Sequence, residues 1–242
     1  MRRPDFTRRS QWTELMDADD TDYETFRACL VDLAKVNVVT LAHRPTLAFL
    51  DTLRRAGKLP TGRPTTILDV GSGYGDLIRA IDRWAHRHGV DVALIGVDLN
   101  PWSARSAREA TDPARPITWA TSNVFDHQGG ADIVVSSIFT HHLTDAQVVH
   151  FLSWSEASAR VGWFVNDLHR HPFPYYGFAL LARAARWHRF VQNDGPVSIA
   201  RAFQAADWRR LIAAAGLAPD AVKVAWRFPF RICVSRIKAQ AS

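Results

Sequence analysis

The amino-acid sequence predicts an α/β protein: a seven-stranded, mostly parallel sheet with an antiparallel last strand, helices on both faces and an N-terminal helical lid. Three observations carry this expectation. From residue 66 onward, short apolar runs alternate with helix-like segments of ten to fifteen residues, the texture of right-handed crossovers between parallel strands. The first run, ILDVGSGYGDL at 67–77, breaks into three alternating glycines that feed directly into a helix-like stretch. The final stretch, AVKVAWRFPFRICVSRI, divides into two strand-like halves around a tight turn containing Pro229.

The elements follow in order. Residues 1–60 read as helix: Thr21 with Glu24 makes a capping box, and Phe26, Leu30 and Leu33 then recur at helical spacing. Pro45 restarts a second helix that runs through Leu53 and stops at Gly57. TTILDV is a buried strand, GDLIRAIDRWAHRHG a helix, VALIGVDL a strand, PWSARSAREAT a helix opened by Pro101, and ITWATSNV and ADIVVSSIF two further strands. LTDAQVVHFLSWSEASA is the next helix and GWFVNDL the next strand. Residues 169 to about 205 are too many for an ordinary connection, so they form an insertion, with one helix expected over YYGFALLARAARWHRF. ADWRRLIAAAGL returns as a short helix ending at Gly216. The organisation expected is a helical lid segment over 1–60 and a main domain over 61–242 that carries the 169–205 insertion as a substrate cap.

Composition narrows the class. A chain of 242 residues with 47% hydrophobic content can bury one full core. No apolar run reaches the ~20 residues that span a bilayer, so no membrane insertion and a cytoplasmic location are expected. Cys29 and Cys233 lie far apart with no metal-spaced partner, which predicts neither disulfide nor zinc site, and no metal is expected elsewhere. The net charge of +6 comes from arginines spread along the chain, with lysine only at 35, 58, 223 and 238. That pattern describes a solvated surface rather than a nucleic-acid footprint. The densest cluster, Arg2, Arg3, Arg8 and Arg9, falls in a terminus expected to be mobile.

A strand that ends in a glycine turn and opens a helix presents backbone N–H groups and a positive helix end at the carboxyl edge of the sheet. A dinucleotide fingerprint places glycines first, third and sixth; here they are first, third and fifth, Gly71, Gly73 and Gly75, and Asp76 holds the sixth place, where its charge repels a pyrophosphate. The turn, with Asp69 before it, instead resembles motif I of the class I S-adenosylmethionine-dependent methyltransferases, whose fold is Rossmann-like. The resemblance covers roughly residues 60–242. It implies S-adenosylmethionine as cofactor and S-adenosylhomocysteine as product. It implies that Asp69, Gly71, Ser72, Gly73 and Gly75 hold the cofactor, with Asp98 on the ribose hydroxyls beside Leu99. Asn123 and Val124 in TSNVFD fall where the family meets adenine, although Asp is more usual than Asn there. Ser137 in the fourth-strand motif completes the set, and Arg44 is the candidate partner for the cofactor's carboxylate.

The acceptor is read from what is missing. The Asn/Asp-Pro-Pro-aromatic motif of amino-methylating nucleic-acid enzymes is replaced by SSIFTHH, and neither cysteine follows a proline as cytosine-C5 enzymes require. SSIFTHHLTD followed by FVNDLHRHP resembles bacterial small-molecule enzymes of the ubiquinone/menaquinone-methylase type. That implies a small hydrophobic aromatic, quinone-like or polyketide-like acceptor, methylated at oxygen or at carbon. In-line methyl displacement is accelerated mainly by positioning, but a phenol or alcohol must also lose a proton, which suits histidine. His141 or His142 with Asp167 is the expected base and orienter, set against a purely structural role for the pair in capping the following helix. His169, His171, Tyr175 and Tyr176 are expected to wall the acceptor site, with Trp12 and Asn37 closing it from the N-terminal side. Two other readings stay open: an RNA- or protein-directed methyltransferase, and a cofactor-binding protein without catalysis. Oligomeric state is not legible in the sequence.

Overall fold

The computed structural model describes residues 4–17, 22–126 and 130–239. One seven-stranded sheet runs through it in the order β3-β2-β1-β4-β5-β7-β6. The strands are β1 (Thr65–Val70), β2 (Val92–Asp98), β3 (Ile117–Thr121), β4 (Ala131–Ser137), β5 (Ala159–Leu168), β6 (Val222–Arg227) and β7 (Arg231–Ile237). The first five are mutually parallel, and β7 lies antiparallel to both β5 and β6. The strand order reverses after β1, so the carboxyl ends of β1, β2 and β4 open one crevice, where open α/β sheets bind ligands.

Both faces are covered. On one, Phe49, Leu50 and Leu53 of α2 (Arg44–Arg55) join Ile78, Ile81 and Trp84 of α3 (Asp76–His88) and the small residues of α4 (Pro101–Glu109). On the other, Phe151 and Leu152 of α5 (Asp145–Ser158) meet Trp208 and Leu211 of α8 (Ala205–Ala214) over Trp163 and Val234. α2 therefore belongs to the body of the sandwich, and the expected division at residue 60 does not separate a lid from a domain. The cap consists of α1 (Tyr23–Val39), the segment before it, α6 (Pro172–Ala184) and α7 (Arg189–Arg201), joined through Cys29, Val36, Trp187 and Val191.

Several local expectations change. The 169–205 insertion holds two helices rather than one, because the chain turns at Arg186 (φ 52°) and buries Trp187 under α1, with the His188 N–H donating to Asp32. The helix start expected at Thr21 lies outside the described residues; the observed cap of α1 is Asp22, whose carboxylate accepts from Thr25 N–H at 2.9 Å. β3 stops at Thr121, so Asn123 falls in the connection after the strand and Val124 opens a short 3-10 helix. Arg2 and Arg3 lie outside the described residues. Arg9, expected in a mobile terminus, is clamped: its guanidinium donates to the carbonyls of His141, Leu143 and Arg201, pairs with Asp145 at 2.9 Å and lies over the Phe203 ring.

Candidate active site

The turn after β1 is built on its glycines. Gly71, Gly73 and Gly75 have φ of 70°, 49° and 73°, a region that L side chains enter only at a cost. A Cβ on Gly75 would sit 2.2 Å from the Trp119 ring, and one on Gly71 would sit 2.6 Å from Phe139, so those glycines let flanking aromatics close on the turn. A Cβ on Gly73 would meet nothing within 4 Å. Space therefore opens above the middle of the turn. Beneath it, Asp69 is buried with Oδ2 unpartnered, and burial together with Asp76 and Asp98 pushes its carboxyl well above the usual carboxylate range.

Asp98 ends β2 beside this space. Its Oδ2 accepts from Gly73 N–H at 2.8 Å and its Oδ1 from Asn100 N–H at 2.9 Å, which aims the carboxylate across the crevice. Ser103 also hydrogen-bonds to the carboxylate, which leaves acceptor capacity for a ligand hydroxyl. Leu99 is 74% exposed next to it, an apolar side chain set on the crevice rim. Val124 is buried, and Asn123 spends its Oδ1 on Phe125 N–H at 3.1 Å. Ser72 donates its backbone N–H to the Val97 carbonyl at 3.1 Å, tying the turn to β2.

The chain beyond β4 is strained. Ile138 adopts φ 54°, unusual for a β-branched residue and costing about 1–3 kcal/mol, and its N–H donates to the Asn166 carbonyl. The backbone there swings Phe139 against Gly71 and delivers Thr140–His142 onto the end of β5. Asp167, fully buried, receives all three of their donors: Thr140 Oγ1, His141 N–H at 2.9 Å and His141 Nδ1 at 2.8 Å. Those hydrogen bonds and the His141 charge hold Asp167 well below the usual carboxylate range despite its burial. An ionised carboxylate only accepts, so His141 Nδ1 carries a proton and Nε2 is the imidazole's other face.

Sequence reasoning missed the group that this face meets. Glu14, from the N-terminal segment, is buried with Oε1 3.8 Å from His141 Nε2 and Oε2 3.9 Å from His142 Nε2. Ser198 Oγ donates to Oε1 at 2.9 Å and Arg201 lies 3.4 Å away. The two imidazoles are 4.3 Å apart at a 36° tilt, and their exposures differ: 1% for the His141 side chain, 33% for His142. Burial raises the Asp98 carboxyl above the usual carboxylate range, against the opposing hydrogen bonds from Asn100, Gly73 and Ser103. Glu14 carries no local signal in the sequence. Arg9 and the insertion deliver it, across more than 120 residues of chain.

The remaining expected residues do not converge on one place. Asn37 Nδ2 donates to Asp76 at 2.9 Å, and His43 Nε2 lies 3.0 Å from the same carboxylate, so Asn37 docks α1 on the start of α3. Trp12 and Tyr175 share a groove of about 410 Å³ between the N-terminal segment, α6 and α7. Tyr176 is 46% exposed on the outside of α6. His169 and His171 face each other at 5.6 Å beside Phe230, and His171 caps α6 through Phe173 N–H. Ser137 Oγ accepts from Asn166 Nδ2 at 3.3 Å. Arg44 is exposed in a surface groove with Trp84, Arg87 and His88.

Residues 68–153, from β1 into α5, match the sequence profile of a family described as a methyltransferase domain. No curated protein matches the sequence. Among solved structures, the chain is similar to the magnesium protoporphyrin IX methyltransferase of Synechocystis PCC 6803 with bound S-adenosylmethionine: TM-score 0.52, 13% identity, 93% of this chain and 88% of that one. It is similar also to human N-acetylserotonin methyltransferase, with TM-score 0.59, 14% identity, 90% of this chain and 57% of that one. For the CurJ carbon methyltransferase the values are 0.64, 12%, 91% and 62%. The chain thus spans less than two thirds of the length of the last two, and at such identities the likeness speaks for the fold. Residues 68–153 thus match a methyltransferase-domain profile, and the sheet around them has the fold of the methyltransferases just named.

Proposed function

We propose that this protein transfers a methyl group from S-adenosylmethionine to an oxygen of a small hydrophobic acceptor, aromatic, quinone-like or polyketide-like, with His142 as the general base. The observation that carries the reading is the loop after β4: His142 is the partly exposed histidine of its histidine–carboxylate cluster, and Phe139 of the same loop packs against Gly71 of the glycine turn.

The residues fit the cofactor. Open space above Gly73 admits a ligand backbone-close, Asp98 keeps acceptor capacity toward a ribose hydroxyl, and Leu99 offers an apolar surface for a flat base. When bound there, S-adenosylmethionine supplies an electrophilic methyl group on a sulfonium. Asp69, Gly71, Ser72, Gly73, Gly75, Asn123, Val124 and Ser137 shape that side of the crevice.

On the acceptor side, the chain's work is positioning and one proton. The cap of α1, α6 and α7 would enclose the acceptor, exclude water and hold its oxygen in line with the methyl group that S-adenosylmethionine would supply. His142 Nε2 takes the acceptor's hydroxyl proton, and Glu14 beside it stabilises the imidazolium that results. His141 and Asp167 hold the loop that presents His142. A mass-spectrometric screen of phenols, hydroquinones and β-hydroxy polyketides tests the reading. A gain of one methylene on an oxygen-bearing acceptor supports it, and cofactor binding with no turnover across the whole panel counts against it.

A further inference from the structure

A second surface borders the acceptor side of the crevice. α6 starts four residues after the end of β5, and Phe173, Tyr176 and Leu180 recur on it at helical spacing, exposed by 68%, 46% and 71%. The β6–β7 turn comes up beside its start: Phe230 stacks on Phe173 at 5.2 Å, Trp226 meets Phe230 edge-on at 5.9 Å, and Trp226 and Phe228 are themselves 48% and 65% exposed. Large apolar side chains on this scale, continuous across two elements, exceed what scattered surface residues require.

The segments that carry them hold charge of one sign, and Asp5, next to the Phe6 that packs on Tyr176, is paired with Arg8. Residues 168–193 and 221–239 contain no aspartate or glutamate, while Arg183, Arg186, Arg189, Lys223 and Arg227 are exposed in them. Asp32, the acid that reaches the α6–α7 turn, is already taken by the His188 N–H and Lys35. Aromatic and aliphatic side chains rimmed by arginines and lysine match the boundary between headgroups and acyl chains of an anionic bilayer.

We propose that α6 and the β6–β7 turn seat this protein on the surface of an anionic lipid bilayer, with Trp226, Phe228, Phe173 and Leu180 entering the interface. No described helix is long and apolar enough to cross a membrane, so the contact is peripheral. The proposal deepens the reading of a hydrophobic acceptor, since a lipid-dissolved molecule would enter from the face beside β5. Its test is nevertheless independent of turnover.

The experiment is co-sedimentation of the full chain with vesicles of 70% phosphatidylcholine and 30% phosphatidylglycerol, against phosphatidylcholine alone. Binding to the anionic vesicles is expected, several-fold weaker at high salt. The double variant Trp226→Ala/Phe228→Ala should bind at least about tenfold more weakly, while Val38→Ala, at an exposed apolar site on α1, should bind as the parent does. Unchanged circular dichroism and cofactor affinity establish that the double variant is folded. Absence of vesicle binding, or equal binding by the double variant, overturns the proposal. So does a parent dimer that the double variant dissociates without any vesicle binding, which would make the patch an interface between copies.

Discussion

His141 Nδ1 lies 2.8 Å from Asp167 Oδ1, with the histidine side chain 1% exposed and the carboxylate fully buried, so the pair is a clamp for the loop after β4 before it is anything else. Removing the carboxylate leaves the three buried donors of Thr140 and His141, and the Leu168 N–H, without this acceptor. Asp167→Ala should therefore cost about 3–5 kcal/mol of stability, a loss readable in urea unfolding.

The same pair predicts an acid limb. Because the folded protein holds Asp167 below its unfolded value, the native state binds this proton less tightly than the unfolded chain does. The stability it contributes is present above about pH 4 and is lost as pH falls through the lower, folded value. Asp167→Asn should be less stable than the parent at pH 7 and show a flatter dependence below pH 4; parallel curves would remove Asp167 as the source.

The two histidines separate by role. His142→Gln should lower turnover by ~10²–10⁴-fold with cofactor affinity and Tm nearly intact. His141→Gln should lower Tm as well, since it disturbs the clamp on Asp167. If His141→Gln keeps Tm and loses turnover while His142→Gln turns over normally, the base is His141.

Asp98 and the glycines report on the cofactor. Loss of a charge-assisted hydrogen-bond pair to ribose costs on the order of 2–3 kcal/mol, so Asp98→Ala should weaken S-adenosylmethionine binding by roughly thirty- to a hundred-fold or more in calorimetry. Gly75→Ala should lower Tm, because its Cβ would enter the Trp119 ring. Gly73→Ala has free space around it and should lose cofactor affinity with a smaller change in Tm.

Glu14, His141 and His142 bring one ligand atom each within 4.8 Å of one another, a grouping that could hold a cation. Arg201, 3.4 Å from Glu14 Oε1, already places a positive charge there, and Ser198 occupies the same oxygen. Turnover should accordingly survive dialysis against EDTA; its loss, with recovery on adding a divalent ion, would reassign the cluster.

What the sequence by itself determined is what local chemistry encodes. Alternating strand and helix periods gave the sheet and its reversed end, and the spacing of Asp69, Gly71, Gly73 and Gly75 gave the turn, because left-handed backbone and close ring contacts demand glycine at fixed offsets. His141 and Asp167 were legible together because both sit at the carboxyl ends of neighbouring parallel strands, which the crossover rule brings side by side. Only the tertiary structure decided which histidine is exposed, that Asn37 belongs to Asp76, and that Arg9 and Glu14 reach the site. Those pairings join segments far apart in the chain through side chains alone. No period or spacing encodes such contacts, because their partners are chosen by how the cap packs on the sheet and not by neighbours in sequence.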